Sequence, residues 1–184
     1  AVWTGSTFDL LPTATENIVF RADFFDPGSE DIRRTVTLGG PGGSGTLEMG
    51  LYNVSGGLNN YGIRVLGSSF YDNSNWSEFS GASRTSGWHR FEAVLSTTEL
   101  TATLDIGSDG SIESTLTFSG DAGTVGLTTV DFGPPANDTV GSNPQIDNIY
   151  LAQVPEPEAF ALGLGVLALA LVVLRRSAFR RRRS

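Results

Sequence analysis

Residues 16–26 read ENIVFRADFFD, and the alternation inside this stretch decides the fold class. Ile18, Phe20, Ala22 and Phe24 fall on one side of an extended chain, while Val19, Arg21, Asp23 and Phe25 fall on the other. That period of two is the mark of a β-strand with one face toward a core. Asp26-Pro27-Gly28-Ser29 then supplies turn chemistry. Working outward, the same pattern recurs at Asp31–Leu38, Thr46–Asn53, Asn60–Leu66, Trp88–Leu95, Leu100–Ile106, Ile112–Phe118, Thr124–Phe132 and Gln145–Gln153. Upstream, Ala1–Leu11 reads as a further strand ahead of a turn at Pro12. Gly39–Gly45 is a flexible loop, and Gly67–Ser86 a longer one rich in Ser and Asn. Short strands at regular spacing, with no amphipathic helix before residue 158, predict an all-β fold: an antiparallel β-sandwich of jelly-roll type over residues 1–153.

The chain has 184 residues, of which 23 are Gly and none Cys, so disulfides and thiolate metal sites are excluded. Every cation is Arg. Residues 1–154 hold six Arg against eighteen Asp and Glu, whereas residues 155–184 hold six Arg against Glu156 and Glu158. The acidic globule disfavours nucleic acid as a partner, because phosphate neutralisation needs clustered cations.

Residues 154–184 are built differently. Val154-Pro155-Glu156-Pro157 precedes sixteen uncharged residues, Ala159–Leu174, and then Arg175, Arg176, Arg180, Arg181, Arg182 and Arg183. As a helix the apolar run spans about 24 Å, somewhat under the roughly 30 Å hydrocarbon core, and the arginines after it can snorkel to the interface. Their position predicts a single transmembrane helix with the C-terminus in the cytoplasm and residues 1–154 outside. Pro155 and Pro157 cannot donate backbone hydrogen bonds and hold their neighbours extended. A chain of this topology is expected to have carried a signal peptide ahead of Ala1.

In the order of its parts, this tail resembles the PEP-CTERM sorting signal of Gram-negative bacteria. The resemblance implies export across the inner membrane and recognition by an exosortase through Pro155, Glu156 and Pro157. It also implies residence in the membrane or, after processing, at the cell surface among extracellular polysaccharide. More loosely, Ser86-Gly87-Trp88-His89-Arg90-Phe91-Glu92 and Ile146-Asp147-Asn148-Ile149-Tyr150-Leu151 resemble the core and closing strands of concanavalin-like and laminin-G-like jelly rolls. That resemblance bears on the fold and says little about activity.

Chemistry-bearing residues are sparse. His89 is the sole histidine, lies in a strand between aromatics and has no nucleophile-elbow motif to serve, so it is read as a packed or half-exposed strand residue. Asp105–Ile112 has the outline of a calcium loop, but Gly107 and Leu116 stand where ligands are required, and a hairpin turn is the better reading. A structural Ca²⁺ elsewhere stays open, with Asp23, Asp131 and Asp147 as spare carboxylates and no ligands assigned; no other cofactor is expected. Glycoside hydrolysis needs two carboxylates about 5–9 Å apart, and no strand carries the spaced acidic pattern that would supply them. The chain is therefore read as no enzyme. In the 67–86 loop, Phe70, Tyr71, Trp76 and Phe79 mingle with Asp72, Asn73 and Asn75. Flat rings stack on sugars while amides take hydroxyls, so Trp76, Tyr71, Asn73 and Asn75 form a candidate sugar site; the competing reading folds these rings down as a lid on the sandwich. Function is expected to be a structural or adhesive part of the extracellular polysaccharide matrix. The alternatives are a carbohydrate-binding module with a defined glycan and, more weakly, a glycoside hydrolase.

Overall fold

The computed structural model describes residues 10–28, 33–39, 46–52, 60–66, 75–120, 129–133 and 145–155. Among them lie the strands β1 (Glu16–Asp26), β2 (Arg33–Gly39), β3 (Thr46–Tyr52), β4 (Tyr61–Leu66), β5 (Ser77–Glu78), β6 (Gly87–Leu95), β7 (Glu99–Ile106), β8 (Ser114–Ser119), β9 (Thr129–Gly133) and β10 (Ile146–Pro155). They form two five-stranded antiparallel sheets in the orders β10-β1-β6-β7-β8 and β5-β4-β3-β2-β9. Two meanders, β2 to β5 and β6 to β8, give each sheet its local pairings. β1 is paired on both sides, by β6 and by the last described strand, β10.

The alternation read in residues 16–26 is the alternation observed. Ile18, Phe20, Ala22 and Phe24 are all fully buried, as are Phe91, Ala93 and Leu95 of β6 and Leu47, Met49 and Leu51 of β3. Each large side chain so placed contributes roughly 1.5–3 kcal/mol relative to exposure. Phe24 connects the layers, its ring centroid 6.1 Å from Tyr61 of the second sheet and 5.7 Å from Phe91 of its own.

The sequence-based boundaries shift in places. β8 begins later than the alternation suggests, residues 124–128 of the predicted ninth strand lie outside the described residues, and β10 runs on to Pro155, so the first proline of the tail motif ends this strand opposite Glu16. Within the expected 67–86 loop, Ser77 and Glu78 form β5 against Ile63 and Gly62. Two residues offer no periodicity to read; the partner strand makes this one. The predicted strand Ala1–Leu11 falls outside the described residues except at Leu10 and Leu11, and the predicted transmembrane helix and arginine cluster fall wholly outside them.

β10 carries one extra residue opposite β1. Arg21 pairs with Tyr150 and Asp23 with Asp147, so Asn148 and Ile149 together face Ala22. Asn148 takes a left-handed conformation, φ 48°, which Asn tolerates better than most residues. The bulge turns its side chain onto Asp23, where Nδ2 donates to Oδ2 at 2.7 Å. Asp23, read from sequence as a spare carboxylate, is thus fully engaged: it also accepts from Arg90 Nε at 2.7 Å and Nη2 at 2.9 Å.

Candidate functional site

β3 and β4 point Leu47, Met49, Leu51, Tyr61, Ile63 and Val65 inward, which leaves Glu48 and Arg64 on the outer face. The two are direct cross-strand partners, and their side chains form an ion pair. Glu48 is fully buried, and Arg64 is mostly so. Trp76, just ahead of β5, lies over this pair with its ring centroid 5.0 Å from the Arg64 guanidinium carbon. A half-buried cation–π contact of this kind is worth about 1–2 kcal/mol. Asn75 is exposed beside it, and along the same edge Asn60 Nδ2 donates to Glu78 Oε2 at 3.3 Å. Trp76 is partly buried, and its indole shares one patch of the second sheet with the Asn60 and Asn75 amides and the Glu78 carboxylate.

The aromatics of this region divide between the two roles expected of them. Phe79 folds down completely, with its ring 5.9 Å from Phe91 and its N–H on the Tyr61 carbonyl at 2.9 Å. Trp76 stays at the surface. Tyr71, Asn73, Phe70 and Asp72 lie outside the described residues, so only Trp76 and Asn75 of the four predicted sugar contacts have places here. Glu48 and Arg64 were not singled out from sequence. Their signal was present, as charges at outward positions of successive strands, but it looks the same as any solvated strand face until the register is known.

A second cluster fastens the segment before β6 to the sandwich. Asp26, fully buried, accepts from Tyr61 Oη at 2.9 Å, Arg84 Nε at 2.8 Å, Arg84 Nη2 at 3.0 Å and Gly28 N at 2.7 Å. Burial alone would raise its pKa, but the Arg84 guanidinium, the Gly28 N–H and the Tyr61 hydroxyl outweigh it and hold the carboxyl below the usual range. Burial and the Asp26 charge push the Tyr61 phenol well above its ordinary value, so it stays protonated. Its oxygen in turn accepts from Thr85 N at 3.3 Å. His89 completes the cluster: Nε2–H donates to the Thr85 carbonyl at 2.8 Å, and Nδ1 accepts from Gly107 N at 3.1 Å. Both ring nitrogens are used and the ring is buried, which drives its pKa down despite the Thr85 bond and nearby carboxylates. Of the two placements the sequence left open for His89, packed or half-exposed in a strand, the structure has the packed one.

The Asp105–Ile112 segment is a turn whose first residue caps it. Asp105 Oδ1 accepts from Asp109 N at 3.0 Å and Oδ2 from Gly110 N at 2.9 Å, while Asp109 Oδ1 accepts from Ser111 N at 2.9 Å. These bonds close the turn between β7 and β8, which pair as the hairpin read from the sequence. Asp147 is exposed, with Oδ1 accepting from Asn148 N at 2.8 Å, and the side chain of Asp131 is outside the description. Among the described residues, no group of three or more metal-ligating side chains converges.

No protein-family model and no curated protein matches the chain. Similar solved structures are sheep galectin-11 in complex with glycerol, the alginate lyase of Klebsiella pneumoniae and Caenorhabditis elegans galectin LEC-6. The first has 8% identity and a TM-score of 0.46, over 80% of this chain and 95% of that one. The lyase has 10% identity and a TM-score of 0.45, over 78% and 61%. The second galectin has 9% identity and a TM-score of 0.43, over 82% and 91%. At these levels the likeness stops short of function.

Proposed function

We propose that this chain is an exported jelly-roll protein of the bacterial surface, delivered through its PEP-CTERM-like tail and associated without catalysis with extracellular polysaccharide. The observation that carries the polysaccharide reading is Trp76 held partly buried over the Arg64–Glu48 pair on the outer face of the second sheet. A rigid indole edge beside amide and carboxylate groups is the chemistry that recognises a sugar ring. A binding role rather than a hydrolytic one is supported by the state of the carboxylates. Among the described residues, Asp23 and Asp26 are held below the usual carboxylate range, because Arg90 and Arg84 outweigh the effect of burial, which is the opposite of the raised-pKa acid that glycosidic cleavage uses.

The test is binding of the full chain, in mild detergent, to a glycan array that includes the polysaccharide of its own cells. Binding is expected, with a loss of tenfold or more in Trp76→Ala; unchanged affinity in that variant sinks the assignment of the patch. For the tail, replacing Pro155, Glu156 and Pro157 by Ala is expected to leave full-length protein in the inner membrane. Normal processing and location in that variant would remove the exosortase from the account and leave a plain anchor.

A further inference from the structure

The outer face of the first sheet is laid out in two cross-strand rows. In one, Tyr150, Arg21, Glu92 and Thr103 stand side by side on β10, β1, β6 and β7. In the next, Asp23, Arg90 and Asp105 do the same on β1, β6 and β7. Charge alternates both along and across the strands, so each arginine has its carboxylate directly opposite. Arg21 Nε donates to Glu92 Oε2 at 2.7 Å, and Arg90 clasps Asp23 with two N–H groups. The side chains of Arg21, Arg90 and Glu92 nonetheless remain 40%, 30% and 29% exposed. Each guanidinium is fixed along one edge and open along another.

Between these rows and the β7–β8 turn lies a cleft of about 240 Å³, lined by Arg21, Arg90, Glu92, Thr103 and Asp105 with Gly110 and Ile112 of the turn. Ile112 is 54% exposed, an apolar wall kept in water. Tyr150, 44% exposed, flanks Arg21, whose guanidinium carbon is 5.6 Å from the ring centroid. Drug-sized sites run to roughly 300–1,000 Å³, so this one has the scale of a single sugar ring. Its charge argues against an anion, because the two arginines face Asp23, Glu92 and Asp105. A cation is disfavoured too, since the Arg21 and Arg90 guanidiniums line the same cleft. What is left open is a set of immobile N–H donors, a carboxylate acceptor and a hydroxyl that does both, beside an aliphatic wall. Vicinal hydroxyls, each donor and acceptor at once, with C–H groups on one ring face, are the complement of that set.

We infer that this cleft is a second saccharide site, taking one neutral pyranose unit on the face opposite Trp76. It deepens the polysaccharide reading, on which it rests for the class of ligand: sites on opposite sheets let one domain hold two glycan chains together, as a matrix component would. The experiment is a calorimetric titration of the full chain in detergent with neutral β-linked gluco-, galacto- and mannotetraoses, fragments of the cells' own polysaccharide, and a mannuronate tetramer as the acidic comparison. Ile112→Arg, Thr103→Val and Trp76→Ala are titrated in parallel, each checked for native circular dichroism. Expected are two sites per chain for a neutral ligand, only the Trp76 site remaining in Ile112→Arg, and at least a fivefold weakening of the cleft site in Thr103→Val. Loss in Trp76→Ala with no change in the two cleft variants overturns the second site and leaves the Trp76 patch standing. Loss in the cleft variants with no change in Trp76→Ala keeps the cleft and overturns the patch. Binding of the acidic tetramer alone, or of no neutral sugar, overturns the proposal.

Discussion

Replacing Asp26 by Ala removes the one carboxylate that four donors from three segments converge upon. Gly28 sits near the surface, where water can take over its N–H, and the Tyr61 hydroxyl keeps its bond from Thr85 N. The main loss falls on Arg84, whose side chain is only 16% exposed and which gives Asp26 two N–H bonds. Deleting one partner of a buried, hydrogen-bonded ion pair costs about 3–5 kcal/mol, because the surviving charge stays in a poorly solvated place. Asp26→Asn preserves the shape and one acceptor oxygen, so its expected cost is smaller, about 1–3 kcal/mol.

The assay is urea denaturation of the full chain in mild detergent, followed by circular dichroism in the strand region. Arg84→Met and the double variant Asp26→Asn/Arg84→Met complete a cycle, with a coupling of about 1–3 kcal/mol expected between residues that share bonds. The pH dependence is a second readout. Asp26 has its pKa depressed in the folded state, so its contribution is complete above the unfolded value near ~3.9 and lost as pH falls through the folded one. Wild type and Asp26→Asn should therefore converge as pH drops below about 4. A cost under about 1 kcal/mol for Asp26→Ala, or additivity within about 0.5 kcal/mol in the cycle, would refute the view that this carboxylate is the anchor of the segment.

Three further outcomes follow from the same structure. His89 is held neutral by burial below its unfolded pKa of about 6.5, so stability should decline as pH falls from about 7 through 6, and His89→Gln should flatten that part of a melting-temperature profile. Gly28→Ala should cost about 1–3 kcal/mol in thermal or urea unfolding, since φ is +83° there and a new Cβ would lie 2.8 Å from Ser86 Cβ. Asp105→Ala removes the acceptor for the Asp109 and Gly110 amides and should cost about 1–2 kcal/mol, with faster amide hydrogen exchange confined to residues 107–111; protection lost evenly across the sheet would contradict a local capping role.

How far the sequence carried this structure depends on whether an interaction is local or must cross strands. The alternation in residues 16–26 was legible because burial acts on every second residue of a single strand, whatever its neighbours are. The Asp105 turn and the packing of His89 were legible for a similar reason: a carboxylate within five residues of the amides that donate to it, and a lone histidine among aromatics, need little context. The ion pairs were not. Arg21 faces Glu92 across 71 positions of chain and Asp26 faces Arg84 across 58, and nothing in either segment announces the other. Trp76 and Phe79 show the limit most plainly. They lie three residues apart in one loop, with like composition around them, yet one ring enters the core and the other stays on the surface. β5 separates them: its pairing with β4 sets Phe79 inward against Phe91, while Trp76, just ahead of it, is left over Arg64 on the outer face. A candidate site drawn from a cluster of aromatics is thus sorted by a strand too short to predict. The same logic explains why the cleft on the first sheet went unnoticed, since its floor consists of residues from β1, β6 and β7 that become neighbours only when the sheet closes.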